Sequence, residues 1–312
     1  MARYLVTGGA GFIGSHLCRR LAAEGHAVRV LDDLSSGKRA NLEGVPVEWA
    51  VGDLRDGALL AQALRDVEYV HHHAAIASVA VSVAQPLFEQ EVNVVGTLRL
   101  LEAARRAGVR RVVFAASAAA YGNNPEIPKR EDMRPEPVSP YGLSKVAGEY
   151  YCRIYSEVFG LETVCLRYFN VFGPRQDPAS PYSGVISLFA RRLLLGQPPV
   201  IQGDGEQSRD FVYVEDVVQA NLLAGRAERA GGEVYNVGSG RSTTIGELAG
   251  LLGHLLGTDL EPEFAPARPG DVRHSLADLS RARAGLGYAP AFTLAAGLER
   301  TLEWMRAAGL GN

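Results

Sequence analysis

Only three cysteines occur in this chain of 312 residues, Cys18, Cys152 and Cys165, and no two stand in Cys-x-x-Cys spacing. That excludes a disulfide framework and argues against a structural zinc site, and buried thiols are expected instead. No apolar run approaches the roughly 20 residues of a membrane span. The first apolar run breaks into glycine at Gly8, too early for a signal peptide's hydrophobic stretch, so a cytoplasmic protein is expected. There is no basic excess: 32 Lys+Arg face 35 Asp+Glu, a formal net charge of -3. A chain so balanced, with no basic stretch, is not built to grip a phosphate backbone, so no nucleic-acid partner is expected. Internal repeats and low-complexity blocks are lacking too, and lysine is rare beside arginine.

What is present is an alternation of short apolar runs with amphipathic stretches. Strands are expected at Tyr4 to Thr7, Val28 to Leu31, Val47 to Val51, Tyr69 to His72, Val112 to Ala115 and Thr163 to Leu166. Helices are expected at Ile13 to Glu24, Gly57 to Arg65, Pro86 to Ala107 and Pro140 to Phe159. Strand and helix in turn are the rhythm of βαβ units and predict an α/β fold, a Rossmann-type doubly wound parallel sheet. Beyond Asn170 the rhythm loosens into shorter elements, which predicts a smaller C-terminal substrate-binding domain. The expected division is 1–169, with returning segments near 210–240, for the nucleotide-binding domain, and 170–209 with 241–312 for the other.

The first strand runs into Thr7-Gly8-Gly9-Ala10-Gly11-Phe12-Ile13-Gly14 and then an amphipathic helix. Glycines let backbone approach a pyrophosphate, whose charge the helix N-terminus meets. The second strand ends at Leu31-Asp32-Asp33, where a carboxylate can accept from adenosine ribose hydroxyls and repel a 2'-phosphate. NAD is therefore the expected cofactor, and Asp53, after the third strand, is a candidate adenine contact.

Downstream, Pro140-Tyr141-Gly142-Leu143-Ser144-Lys145 sets a phenol and an ammonium four residues apart, on one helical face. Alone this is an ordinary surface pair. A close lysine and a cationic nicotinamide favour the phenolate, which gives Tyr141 a route to act as a base. Ser117, at the end of the fifth strand, faces the ligand crevice of an open α/β sheet and can bond the same hydroxyl. The run His71-His72-His73 invites a metal reading, but adjacent strand residues point to opposite faces, so no metal is expected.

With the glycine loop, Ser117, Tyr141-x-x-x-Lys145 and Arg167-Tyr168-Phe169-Asn170-Val171-Phe172-Gly173-Pro174 in this order, the chain resembles the extended short-chain dehydrogenase/reductase family. Within it the likeness is to the UDP-sugar 4-epimerases over essentially the full length. The resemblance implies a catalytic trio of Ser117, Tyr141 and Lys145. It implies that Gly8, Gly11, Phe12, Ile13, Gly14, Asp32, Asp33, Ser36, Gly37, Asp53 and Leu54 bind NAD. His73, Ala74, Ala75, Ala77, Asn93, Tyr141, Lys145 and Phe169 complete that implied cofactor set. For the UDP-sugar it implies Ser78, Ser117, Tyr141, Asn170, Val185, Ile186, Val200 and Gln202, with Arg209 and Arg268 on the diphosphate and Asp271 on the uridine ribose. It also implies a homodimer joined through a four-helix interface.

Departures from the family pattern are informative. Ser117 is followed by Ala118-Ala119-Ala120, where sugar-nucleotide dehydratases carry an acidic pair, so water elimination is disfavoured. Ala115-Ala116 replace the usual two serines before Ser117. Ser275 falls where members restricted to unacetylated hexoses carry a bulky tyrosine, which implies room for a 2-acetamido group and acceptance of UDP-GlcNAc beside UDP-glucose and UDP-galactose. The competing readings are a nucleotide-sugar dehydrogenase or reductase with net NADH change, a UDP-hexuronate epimerase, and a silent NAD-sensing protein on the same fold.

Overall fold

The computed structural model describes residues 1–177, 184–267 and 272–310. Its first part runs β1 (Arg3–Thr7), α1 (Phe12–Ala23), β2 (Ala27–Asp32), β3 (Glu48–Val51), α2 (Gly57–Ala63) and β4 (Tyr69–His72). It continues through α3 (Val79–Ala84), α4 (Pro86–Gln90), α5 (Gly96–Arg106), β5 (Arg111–Ser117), α6 (Pro140–Phe159) and β6 (Glu162–Tyr168). The second part contains β7 (Asn170–Phe172), α7 (Val185–Leu194), β8 (Val200–Gln202), β9 (Ser208–Arg209), β10 (Phe211–Tyr213), α8 (Val214–Arg226) and β11 (Glu233–Val237). It ends with β12 (Thr243–Thr244), α9 (Ile245–Leu256), β13 (Glu263–Ala265), α10 (Ser280–Leu286) and α11 (Leu294–Ala307).

Seven strands form one sheet in the order β11-β6-β5-β4-β1-β2-β3, every pair parallel. Alternating side chains explain why both faces are covered. Tyr4, Val6, Val28 and Val30 pack with Leu17, Leu21, Val218 and Leu222 of α1 and α8. Leu5, Leu31, Val70, Val112 and Phe114 pack on the other face with Leu60, Leu100, Leu101 and Cys152 of α2, α5 and α6. Burying a side chain such as Leu17 or Leu100 contributes about 1.5–3 kcal/mol. Cys18, Cys152 and Cys165 are all buried and free, as the scarcity of cysteine suggests.

Parallel strands deliver all their C-terminal ends to one edge. Thr7 stands beside Leu31 and His72, His72 beside Phe114, and Ser117 beside Tyr168. The loops that follow β1, β2, β4, β5 and β6 therefore line one crevice. A second core, built by Phe172, Ile186, Phe189, Ile201, Leu248, Leu252, Leu298 and Met305, lies in the later segments. Between the two runs the return of α8 and β11 to the large sheet, which places Val237 beside Tyr168.

Several short elements were invisible to periodicity. The strands β7, β8 and β13 are three residues long, and α3 and α10 span six and seven. The expected helix Pro86 to Ala107 is interrupted by a π turn (Glu91–Val95), in which Gly96 N–H donates to Glu91 O. No helix among the described residues is long and apolar enough to cross a membrane.

Candidate active site

Glycine chemistry shapes the loop after β1. Gly8 has φ +68, and a Cβ there would lie 2.6 Å from Ala74 N; at Gly14 it would lie 2.2 Å from Gly8 O. No side chain caps α1, whose N-cap is Gly11, so its first-turn N–H groups are left for an anion. Phe12 and Ile13 supply that turn. Asp32 closes the next loop: Oδ2 accepts from Ala10 N at 2.9 Å and Oδ1 from Leu34 N at 2.9 Å. Burial pushes the Asp32 carboxyl up, opposed by those two backbone donors. A Cβ on Gly37 would meet Asp32 Oδ1 at 2.7 Å, so this loop folds directly over the carboxylate.

These features fit NAD: an uncapped helix end for the pyrophosphate, a backbone cradle that side chains would fill, and a carboxylate for the ribose. Asp33 and Ser36 are exposed, and Asp33 accepts from Ser35 N in a local turn. Asp53 is held by Arg55 at 2.6 Å, and the guanidinium pulls its carboxyl down. Leu54 is buried against Gly96.

The three histidines each have a separate neutral partner. His71 Nδ1 lies 3.2 Å from Asn221 Oδ1, His72 is bracketed by Thr7 and Thr97 at 2.7 and 2.9 Å, and His73 Nε2 meets Tyr168 Oη at 3.1 Å. Burial pushes His71 down to about 4 and His72 to about 3. His73 Nδ1 is buried without a partner at the crevice edge, an orphan that a bound ligand can satisfy. Ala74 is tied back to Thr7 Oγ1, and Ala75 and Ala77 follow in the same loop. Ser78 caps α3 by accepting from Val81 N.

α6 starts at this edge because Ser139 caps it, accepting from Gly142 N at 3.1 Å, with Pro140 in its first turn. That start aims Tyr141 and Lys145 into the crevice. Burial pushes the Tyr141 phenol above its ordinary value; the neighbouring Ser117 hydroxyl opposes this and Glu89 adds to it. Lys145 Nζ donates to Ala115 O at 2.9 Å and lies 5.9 Å from the Tyr141 ring centroid. Burial lowers Lys145 to about 8, against the pull of Glu89, Glu149 and Cys152. An ammonium near its titration point beside a phenol assembles a proton-transfer pair.

Phe169 is buried and packs near Tyr121, while Asn170 donates its N–H to Asp210 O at 3.0 Å. Asp210 is wholly buried and accepts from Ser239, Gly240 and Ala277, so it locks the Arg209 strand to the segment carrying Ser275. Ser275 N and Arg209 Nη1 both donate to Ser208 O. Val185 and Ile186 open α7; Val200 and Gln202 bound β8, with Gln202 O accepting from Gln207. The expected Arg268 and Asp271 lie outside the described residues. Asp210, Glu89 and the buried Arg167–Glu149 pair at 2.7 Å were not anticipated. In sequence each acid reads as an ordinary polar position.

Comparison with known proteins agrees with this geometry. The family model described as "NAD dependent epimerase/dehydratase family" matches residues 4–238. UDP-glucose 4-epimerase of Mycolicibacterium smegmatis is 46% identical, over 97% of this chain and 98% of that protein. The crystal structure of the Thermotoga maritima UDP-glucose 4-epimerase with UDP-glucose superimposes with a TM-score of 0.94 at 43% identity, covering 98% of this chain and 99% of the other. The Thermus thermophilus UDP-glucose 4-epimerase in complex with NAD gives 0.89 at 42% identity, with coverage of 98% and 99%.

Proposed function

Because the chain belongs to the NAD dependent epimerase/dehydratase family, we propose a residue-level account of its reaction, the 4-epimerisation of a UDP-hexose. The observation that carries it is the convergence of Tyr141 and Lys145 on the end of β5, where Lys145 Nζ bonds Ala115 O two residues before Ser117, beside a cradle that fits NAD. The loop from Gly8 to Gly14 and the Asp32 carboxylate would hold NAD, which would supply a hydride acceptor for C4 and then a hydride donor to the opposite face of the 4-keto sugar. Tyr141 removes the proton of the 4-hydroxyl and later restores it, held in line by the Ser117 hydroxyl. The Lys145 ammonium favours the phenolate electrostatically. Arg209 grips the diphosphate, joined in this reading by Arg268, and Asn170 contacts a phosphate or the sugar. The tether is what lets the keto sugar turn without leaving. Alanines after Ser117 offer no acid for elimination, so the cycle closes as an epimerisation.

Purified protein without added cofactor, incubated with UDP-glucose, UDP-GlcNAc and UDP-glucuronic acid, should epimerise UDP-glucose with no net NADH change. Net NADH accumulation would support a dehydrogenase instead. Ser275 is half-buried beside Ser208, and a small side chain there admits a 2-acetamido group. Ser275→Tyr should lower kcat/KM for UDP-GlcNAc by about 100-fold and leave UDP-glucose nearly unchanged. Equal turnover of UDP-GlcNAc by both forms would overturn this specificity.

A homodimer belongs to the same reading. α3, α4 and α6 pack together, and each carries exposed apolar side chains: Val83 on α3, Leu87 on α4, Ile154 and Val158 on α6, with Leu87 82% exposed. Large apolar side chains left exposed on neighbouring helices favour an interface there. Sedimentation should show a dimer, and Leu87→Glu with Val158→Glu should yield a monomer. A cytoplasmic location is part of the reading as well, supported by three thiols left free.

A further inference from the structure

The helical stretch from Pro86 to Arg106 changes pitch where Glu91–Val95 form the π turn. Such a turn inserts one residue and re-aims the side chains beside it, which is why π turns concentrate at functional sites. Here the inward side chains are Glu89 and Asn93, 0% and 3% exposed. The Ser144 hydroxyl donates to Glu89 Oε1 at 2.6 Å, and Asn93 Nδ2 donates to the same oxygen. Gln90 Nε2 donates to Oε2 at 2.7 Å. Both linkers also reach the first turn of α6: Ser144 Oγ lies 2.9 Å from Tyr141 O, and Gln90 Nε2 donates to Pro140 O at 3.1 Å. Asn93 in turn clamps Ile76, accepting from its N–H at 2.8 Å and donating to its carbonyl at 3.2 Å.

A carboxylate is buried only when donors and a counter-charge offset its desolvation. The donors are these three, and the cation is Lys145, one helical turn beyond Tyr141. We propose that Glu89 is a positioning residue of the epimerisation: it fixes the Tyr141-bearing turn against the cofactor loop at Ile76 and sets a negative charge opposite Lys145. This rests on the reaction assigned above.

The charged and titratable groups facing the pair come from several elements. α4 supplies Glu89; α6 supplies Glu149 and Cys152; β6 supplies Arg167, which neutralises Glu149; the end of β4 supplies His72 and His73. Among these, Glu89 is the charge that raises Tyr141 and the largest that raises Lys145, with burial the larger influence on both. Removing its charge therefore lets Tyr141 ionise at lower pH and makes Lys145 lose its proton at lower pH. Both limbs of a pH–rate profile should move the same way.

The test compares the wild-type holoenzyme with Glu89→Gln and Glu89→Asp. For Glu89→Gln both limbs of the kcat profile should move acidward by about one pH unit, with kcat at the optimum about 10-fold lower and bound NAD retained. Glu89→Asp keeps the charge but shortens its reach, so kcat should fall while the limbs stay in place. Wild-type limbs in Glu89→Gln, or the same displacement in both variants, would overturn the proposal. Should Glu89→Gln not fold, Ser144→Ala decides the positioning role. It should lower kcat several-fold with NAD content intact, and a wild-type kcat would refute it. Tyrosinate absorbance of the holo-protein, read against Tyr141→Phe, gives the Tyr141 midpoint without turnover. If the wild type does not epimerise UDP-glucose, the reaction assignment fails, while a lower midpoint in Glu89→Gln still supports the charge role and an equal midpoint refutes it.

Discussion

Tyr141→Phe is expected to lower kcat by about 1,000-fold or more while the protein still purifies with NAD bound. The phenol neighbours the Ser117 hydroxyl, and its ring centroid lies 5.9 Å from the Lys145 ammonium nitrogen. Removing its oxygen deletes the proton acceptor without changing the ring that packs there. A loss of that size raises the barrier by about 4 kcal/mol, whereas one lost hydrogen bond costs the fold about 1 kcal/mol. Unfolding therefore cannot account for the effect, and unchanged NAD content with a thermal midpoint within a few degrees would show that it does not. Ser117→Ala should cost less, because Ser117 orients the hydroxyl but does not take its proton. Near-normal turnover by Tyr141→Phe would move the base to another residue. His73 is a poor substitute, since burial holds its imidazole well below the ordinary value.

The large sheet was legible in the sequence because its elements repeat at full length. The strands at Tyr4, Val28, Tyr69, Val112 and Thr163 carry short apolar-rich runs between amphipathic stretches, and the helix from Pro140 to Phe159 announces itself with Ser139, Pro140 and Gly160 at its ends. The short strands β7, β8 and β13 offered too few residues for any period to show. Tyr141, Lys145 and Ser117 could be found by spacing and strand-end position, which local sequence preserves. Glu89 and Asp210 could not. Their importance comes from burial among partners distant in sequence, such as Ser144 for Glu89 and Ala277 for Asp210. The π turn that directs Glu89 inward leaves no signature in a stretch that otherwise reads as one amphipathic helix. Asp53 is the expected adenine contact, and its pairing with Arg55 is a feature that its place after β3 does not announce.

Gly14→Ala is expected to abolish retention of NAD. The added Cβ would stand 2.2 Å from Gly8 O and 2.8 Å from Gly9 Cα, and both obstacles are backbone. Neither can rotate aside as a side chain could, so α1 must back away from β1. That displacement removes the first-turn N–H groups from the pyrophosphate they are placed to meet. It also disturbs Leu17 and Leu21, which are buried against the sheet, so a stability loss of about 1–3 kcal/mol accompanies it. Gly57→Ala is the matched control: nothing lies within 4 Å of its Cβ position, and it opens α2 with no constraint on φ. There alanine should leave stability equal or slightly improved. Cofactor released by denaturing equal amounts of the three proteins separates the cases. Wild type and Gly57→Ala should release comparable NAD, and Gly14→Ala almost none. If Gly14→Ala retained full NAD, the close approach of α1 to the loop would be a packing feature and not the cradle of the cofactor.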